Sequence, residues 1–241
     1  NNNNLGVVGI AGGSYPKKGV SLMSLDIFKE GVSNGDTYVW AADRGASVSQ
    51  NSWGYLEPSV YNQPDLIGIK YFYENGGGSE LNGGIVIFAA GNDSSGEDWY
   101  PGFYEYTFAV SATDKQDVLA SFSNYGSWVD ISAPGVSIYS TDINDLYSSK
   151  QGTSMACPHV SGVAALLVSR YPGVFTNDSL QRILMLSADN VDTINISLIG
   201  LMGAGRLNAL AAFELAEDLL SQSPAVISII PSDRYAQINV D

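Results

Sequence analysis

The sequence feature that most constrains the fold is a long helical segment at residues 154–171, SMACPHVSGVAALLVSRY. Its apolar residues lie nearly all round the helix axis instead of along one stripe, so the helix must be buried on several sides. A second segment, GGIVIFAAGND at residues 83–93, is a continuous apolar run closed by turn residues, which is typical of a strand buried on both faces. The two segments predict a layered core, and a single domain of 241 residues is long enough to bury it.

Shorter segments continue the alternation of strand and helix along the chain. Apolar or period-two runs bounded by turn residues predict further strands at 46–52, 106–113, 128–134 and 136–141. Apolar residues at helical spacing predict further helices at 65–75, 179–188 and 206–220, and at both ends of 26–45. Helices that alternate with apolar strands favour an α/β fold in which a mostly parallel sheet is covered on both faces.

The composition limits the partners of the chain. Acidic residues outnumber basic ones 25 to 11, which gives a net charge of −14 at pH 7. Such a surface repels phosphate groups, so we expect no nucleic-acid partner and no anionic membrane surface as a partner. No apolar run approaches the roughly 18 residues that cross a bilayer, so no membrane span is expected in this chain. The single cysteine, Cys157, excludes an internal disulfide and is interpreted as a small core residue.

Ser154, in the Gly-Thr-Ser sequence before the apolar helix, has two interpretations. A small hydroxyl residue at this place commonly caps free backbone N–H groups, and the local pattern alone favours that role. Pro158 is expected in the first helical turn, which places Ser154 at or beside the first helical position. A hydroxyl there lies at the positive end of the helix dipole, where adjoining N–H groups suit the oxyanion of an acyl transfer.

The only histidine and an asparagine at a strand end are the next candidates. His159 lies five residues after Ser154, about 140° round the helix from it, so we interpret His159 as a packed structural residue and not as the base. Asn92 follows the carboxyl end of the buried strand, at the edge where open parallel sheets bind ligands. Its amide is either a turn residue, which Gly-Asn-Asp predicts by itself, or an oxyanion donor, and local evidence leaves both open.

Several segments taken together resemble one known family, the subtilisin-like serine proteases or subtilases. They are AAGN at 89–92, APGVSIYST at 133–141, GTSMACPHVSGVAALL at 152–167, GVVGIA at 6–11, SQNSWG at 49–54, FSNYGSWVDISAPG at 122–135 and GAGRLNALAA at 203–212. The resemblance implies a three-layer subtilisin-like α/β fold with a mostly parallel central sheet, lacking its N-terminal segment. We therefore expect a subtilase catalytic domain at 1–218, followed by a linker and an additional C-terminal strand at 219–241.

The resemblance also implies roles for individual residues. Ser154 would be the nucleophile of a serine endopeptidase, and Asn92 would donate a hydrogen bond to the oxyanion. Loss of such a donor lowers turnover about 100- to 1000-fold, a magnitude that comes from subtilisin itself. The implied substrate-binding residues are Ser52, Trp53, Gly54, Ala89, Ala90 and Gly91. The first three would pair with an extended polypeptide by strand addition, and the last three would form a wall of the main specificity pocket. Trp53 is equally well explained as an aromatic packed against the sheet edge.

Serine hydrolysis also needs a base and an orienting carboxylate. Subtilases supply them in the chain order Asp, His, Ser, with the histidine in an HGTxxAG-type segment, and this sequence contains no such segment. We expect the catalytic Asp and His to lie upstream of this chain, in a parent protein that is an ordinary protease. The alternatives are a second bound chain that restores the triad, and a non-catalytic remnant that binds extended peptides near Ser52. By itself, this chain is expected to show little or no peptidase activity.

An ion, further partners and a location also follow from the resemblance. No cofactor is required for the chemistry, but the opening asparagine-rich loop implies a structural calcium ion. The side-chain oxygen of Asn3 and the backbone oxygens of Leu5 and Val7 would bind it, and a solvated polar loop is the alternative. Asp93 either biases the pocket toward basic side chains or faces water. The expected partners are polypeptide substrates and the protein's own N-terminal segment or propeptide, and the expected location is secreted or the cell envelope.

Overall fold

The computed structural model describes residues 6–13, 19–27, 30–31 and 33–222. In this part of the chain the α-helices are α1 (Asn34–Ala42), α2 (Gln63–Asn75), α3 (Thr153–Arg170), α4 (Asn177–Leu186) and α5 (Ala209–Gln222). The β-strands are β1 (Val48–Asn51), β2 (Ile85–Ala89), β3 (Phe108–Thr113), β4 (Ile131–Pro134), β5 (Ile138–Thr141) and β6 (Tyr147–Lys150). A short 3-10 helix spans Ile196–Leu198.

Four strands form a parallel sheet, as the sequence predicts, and their order in the sheet is β1-β2-β3-β4. Because all four strands run in the same direction, their carboxyl ends lie at one edge of the sheet. The predicted strand at 136–141 forms as β5, but it pairs outside this sheet in an antiparallel hairpin with β6. The sequence analysis missed β6, because its residues Tyr147–Lys150 are largely exposed and show no apolar pattern.

The side chains of β2 show how the layers arise. Successive residues of a strand point to opposite faces, and both faces of this strand are buried. Ile85 and Ile87 belong to the apolar cluster that contains residues of α3, α4 and α5. Val86 and Phe88 belong to the cluster that contains residues of α1 and α2. The sheet therefore lies between two helical layers, which confirms the predicted three-layer α/β fold.

Helix α3 packs against all four strands of the sheet. Pro158 lies inside this helix, as its sixth residue. The expected place of Pro158 in the first turn is therefore wrong. Because proline has no N–H, the carbonyl oxygen of Ser154 has no partner one turn later in the helix. The hydroxyl of Ser52 donates to this oxygen at 3.0 Å and so joins the helix start to the segment after β1.

The last described helix is slightly longer at its C-terminal end than the sequence predicts. Helix α5 continues to Gln222, so it ends two residues beyond the predicted helix at 206–220, within the segment predicted as a linker. The rest of that predicted linker and the additional strand lie outside the described residues. None of the helices described is long and apolar enough to cross a membrane.

Candidate active site

The structure brings Ser154 and Asn92 together at the carboxyl edge of the sheet. Strand β2 ends at Ala89, and the chain turns at Gly91, whose φ of 109° is in the region that favours glycine. Helix α3 begins at Thr153, so Ser154 is its second residue, which confirms the predicted position. Both residues line one cleft with a volume of about 290 Å³.

The side-chain amide of Asn92 has a defined orientation. Its Oδ1 accepts hydrogen bonds from the backbone N–H of Thr153 at 2.8 Å and from the Thr153 hydroxyl at 3.0 Å. A backbone N–H can only donate, so the atom that faces Thr153 must be the oxygen of the amide. The Nδ2 group of Asn92 has no acceptor among the described residues and remains free to donate to a ligand.

The backbone N–H of Ser154 is a second free donor. The first N–H groups of a helix have no partner within the helix unless a local contact supplies one. Thr153 donates to Asn92, and Met155 and Ala156 donate to the carbonyl of Gly152 at 2.9 and 3.3 Å. For the N–H of Ser154, no acceptor is found in the part of the chain that the structure describes.

The two free donors border the same small space beside Gly152. A Cβ atom at this residue would lie 3.6 Å from the backbone nitrogen of Ser154 and 3.7 Å from Nδ2 of Asn92. Gly152 has no Cβ, and its φ of 148° also favours glycine, so the space stays open. Two free N–H groups that border one space at the positive end of a helix dipole form a suitable environment for a developing oxyanion.

All of the predicted substrate-binding residues line this same cleft. They are Ser52, Trp53, Gly54, Ala89, Ala90 and Gly91. The first three follow β1, which is an edge strand of the described sheet, and the other three lie at the end of β2. The indole of Trp53 packs edge-on against Phe88 at 5.4 Å while it lines the cleft, so both interpretations of Trp53 are compatible with the structure.

The cleft also contains residues that the sequence analysis missed, namely Tyr55, Trp99, Tyr100 and Thr153. Tyr55 donates its hydroxyl hydrogen to the buried carboxylate of Asp65 at 2.6 Å, and its backbone N–H to the carbonyl of Tyr100 at 3.2 Å. Burial, followed by the bond to Asp65, raises the pKa of Tyr55 well above its usual value, so the neutral phenol is retained as a donor to Asp65 even in alkaline solution. The aromatic-rich run WYPGFYEY at 99–106 was the only sequence signal for this wall.

His159 and Cys157 do not belong to the cleft. Nδ1 of His159 lies 2.8 Å from the carbonyl oxygen of Met155, which can only accept, so Nδ1 carries the proton and donates. Cys157 is fully buried, and burial raises the pKa of its thiol to about 11, which disfavours the thiolate. Both placements agree with the structural roles expected from the sequence.

The remaining expectations concern Asp93 and calcium. Asp93 lies exposed at the cleft, where its charge faces solvent and the space in front of the pocket wall. Of the predicted calcium ligands, Asn3 and Leu5 lie outside the described residues, and Val7 is partly buried. Over the ranges described, no group of three or more His, Cys, Asp and Glu side chains is placed to bind a metal. Calcium binding by the opening loop stays a prediction.

These features define an α/β protein with a serine-centred site at the carboxyl edge of a parallel sheet. The model of the Subtilase family matches residues 1–205. Thermitase of Thermoactinomyces vulgaris is 41% identical over 174 residues, which are 70% of this chain and 57% of thermitase. Subtilisin Savinase of Lederbergia lenta is 34% identical over 211 residues, which are 88% of this chain and 72% of Savinase. The chain therefore belongs to the subtilase family.

Solved structures show the same relationship. The prenylagaramide maturation protease PagA matches with a TM-score of 0.64 and 28% identity, over 75% of this chain and 66% of PagA. The patellamide maturation protease PatA matches with a TM-score of 0.65 and 28% identity, over 76% of this chain and 68% of PatA. The chain spans about half to three quarters of the length of most of these relatives, and only 38% of the thermophilic serine proteinase of Bacillus sp. strain AK1, to which it is 40% identical.

Proposed function

We propose that this chain is the nucleophile-bearing part of a serine endopeptidase. The observation that carries the proposal is the orientation of Asn92, whose amide oxygen is bound by Thr153 so that Nδ2 is left free beside the N–H of Ser154. A serine hydroxyl next to two free N–H donors is the arrangement that acyl transfer to serine requires.

The chemistry follows from this arrangement. The hydroxyl oxygen of Ser154 attacks the carbonyl carbon of a peptide bond while a base takes its proton, and the carbonyl electrons move to the oxygen. Asn92 Nδ2 and the N–H of Ser154 bind that oxyanion. The intermediate collapses to an acyl-enzyme as the amine leaves with the proton, and water then hydrolyses the ester. The only histidine of the sequence, His159, is bonded to its own helix, so we propose that the base and its orienting carboxylate come from outside this chain.

We propose that the substrate is an extended polypeptide. Its backbone would pair with residues 52–54 after β1, and a side chain would enter the space beside residues 89–91, which line the same cleft as Ser154. Asp93 at the cleft would favour a basic side chain. The composition, rich in glycine and tyrosine, supports a secreted protein or one of the cell envelope.

The test uses the full-length protein and a fluorogenic peptide substrate. Ser154→Ala should lower kcat at least about 1000-fold, because the acyl-enzyme can no longer form. The matched control is Ser161→Ala, which removes a buried hydroxyl of the same helix that donates to the carbonyl of Cys157 and does not line the cleft. Full turnover in the Ser154 variant would refute the proposal. Peptide binding without turnover in the unaltered protein would refute it too, and would support the non-catalytic alternative.

A further inference from the structure

A fully buried asparagine behind the cleft, Asn124, holds the loop that carries Asn92. Asn124 is 0% exposed and lies between β3 and β4. It makes four hydrogen bonds to the backbone of residues 90–95. Its Nδ2 donates to the carbonyl of Ala90 at 3.0 Å, its backbone N–H donates to the carbonyl of Gly91 at 2.9 Å, and its Oδ1 accepts from the N–H groups of Asp93 at 2.8 Å and Ser95 at 3.1 Å.

These bonds explain why residue 124 is an asparagine. One end of the side chain faces a carbonyl, which needs a donor, and the other end faces two N–H groups, which need an acceptor. Only a short amide side chain supplies a donor and an acceptor at this distance from the backbone. The contact is close: a Cβ atom on Gly91 would lie 2.3 Å from Nδ2 of Asn124. Gly91 therefore has to be glycine if the loop is to lie on the Asn124 amide.

The four bonds enclose the residue that carries the free donor. Asn124 binds the loop on both sides of Asn92, at residues 90 and 91 before it and at residues 93 and 95 after it. Thr153 fixes the side chain of Asn92, whereas Asn124 fixes the backbone from which that side chain extends. A displacement of this backbone by about 1 Å would move Nδ2 away from the N–H of Ser154, and misplacement on that scale costs on the order of 100-fold in rate.

We propose that Asn124 is a positioning residue of the oxyanion site: it holds residues 90–95 so that Nδ2 of Asn92 and the N–H of Ser154 border one space. This inference rests on the proposed function. The oxygen of the substrate carbonyl becomes negatively charged only in the transition state. A misplaced Nδ2 of Asn92 therefore weakens binding of the transition state and leaves binding of the substrate nearly unchanged. Substitution of Asn124 should therefore lower kcat and leave KM nearly unchanged.

The chain offers a matched control in Asn195. This residue is 6% exposed, and its Oδ1 accepts from the N–H of Leu119 at 2.9 Å. Its Nδ2 donates to the carbonyls of Asp117 and Val191 at 2.9 and 3.0 Å. Asn195→Ala thus also removes a buried amide and strands backbone groups, but at loops that do not carry a cleft residue.

The experiment compares both variants in the full-length protein. Asn124→Ala should lower kcat about 10- to 100-fold with KM within about threefold, whereas Asn195→Ala should lower the Tm by a similar amount and leave kcat within about twofold. If Asn124→Ala does not fold, Asn124→Asp keeps the acceptor for Asp93 and Ser95 and should show the same separation of kcat from KM. Equal kcat in the Asn124 and Asn195 variants would overturn the inference.

A second measurement separates this inference from the proposed function. Hydrogen exchange of the 241-residue chain should show the amides of Asp93 and Ser95 exchanging at least about tenfold faster in Asn124→Ala, which removes their acceptor, than in Asn195→Ala. Unchanged exchange at these two amides would refute the role of Asn124 whether or not the protein cleaves peptides. If the proposed function is wrong but the role of Asn124 is right, turnover will persist in Ser154→Ala while the exchange at these two amides still increases in Asn124→Ala.

Discussion

The hydroxyl of Thr153 makes the most direct test of how Asn92 is oriented. Thr153→Val keeps the shape of the buried side chain but removes two hydrogen bonds. One is accepted from the N–H of Gly91 at 3.1 Å, and the other is donated to Oδ1 of Asn92 at 3.0 Å. The bond from the Thr153 backbone N–H to the same oxygen, at 2.8 Å, remains. The variant therefore weakens the restraint on the Asn92 amide without abolishing it.

The expected effects follow from these bonds. A typical hydrogen bond contributes about 0.5–1.5 kcal/mol net, so loss of the bond to Asn92 should lower the ratio of the donor orientation to the other orientations about 2- to 12-fold. We expect kcat to fall by about fivefold and KM to change little, since the oxyanion exists only in the transition state. The stranded N–H of Gly91 should cost about 1–2 kcal/mol of unfolding free energy, which corresponds to a Tm lower by about 3–6 °C for a chain of this size.

The assay is steady-state cleavage of a fluorogenic peptide by the full-length protein, with thermal unfolding measured in parallel. The control is Thr153→Ser, which keeps the hydroxyl and loses only a buried methyl group. This control should be destabilised by about 1 kcal/mol and keep kcat within about twofold. If the valine and serine variants show the same kcat, the hydroxyl does not orient Asn92 and the reasoning is wrong.

Three further results are expected. A fluorophosphonate probe should label Ser154 of the 241-residue chain only slowly, because the chain lacks a base, and rapid stoichiometric labelling that is lost in Ser154→Ala would contradict this expectation. Since burial raises the pKa of Cys157 to about 11, its thiol should react with iodoacetamide at pH 8 about 100-fold more slowly in the folded chain than in urea, and equal rates would show that the thiol is accessible. Leu167→Ala, at a fully buried position of α3, should lower the unfolding free energy by about 2–5 kcal/mol in urea titrations. Leu186→Ala, at a residue of α4 that is 48% exposed, should change it by about 0.5 kcal/mol or less, and a similar loss in both variants would contradict the assigned core.

Much of the fold could be predicted because its strongest elements have local signals. Strand β2 is a continuous apolar run, and α3 is apolar nearly all round, so each of them had to be buried wherever the rest of the chain went. The hairpin strand β6 has no such signal, and its strand partner is β5. The prediction for Pro158 was wrong by about one turn, because a proline is by itself most favourable at the start of a helix. Further along a helix it leaves a carbonyl oxygen without its partner, and here the hydroxyl of Ser52 donates to that oxygen.

Candidate residues of the site were found from the sequence where they lie next to the ends of such elements. Asn92 follows β2, and Ser154 begins α3, so a local pattern places each of them at the edge of the sheet. The sequence alone could therefore predict that the two residues lie near each other, and it also showed the family resemblance. Which atom of Asn92 is free was not, because that depends on Thr153, 61 residues further along the chain.

Contacts between loops that are distant in sequence were decided by the tertiary structure alone. Asn124 binds backbone groups 29 to 34 residues before it, and Tyr55 and Asp65 meet because α2 packs beside the cleft. A hydrogen bond needs its two atoms within about 3 Å of each other. Periodicity along one segment determines which face of a strand or helix is buried, but the separation of two loops depends on the packing of all the layers between them.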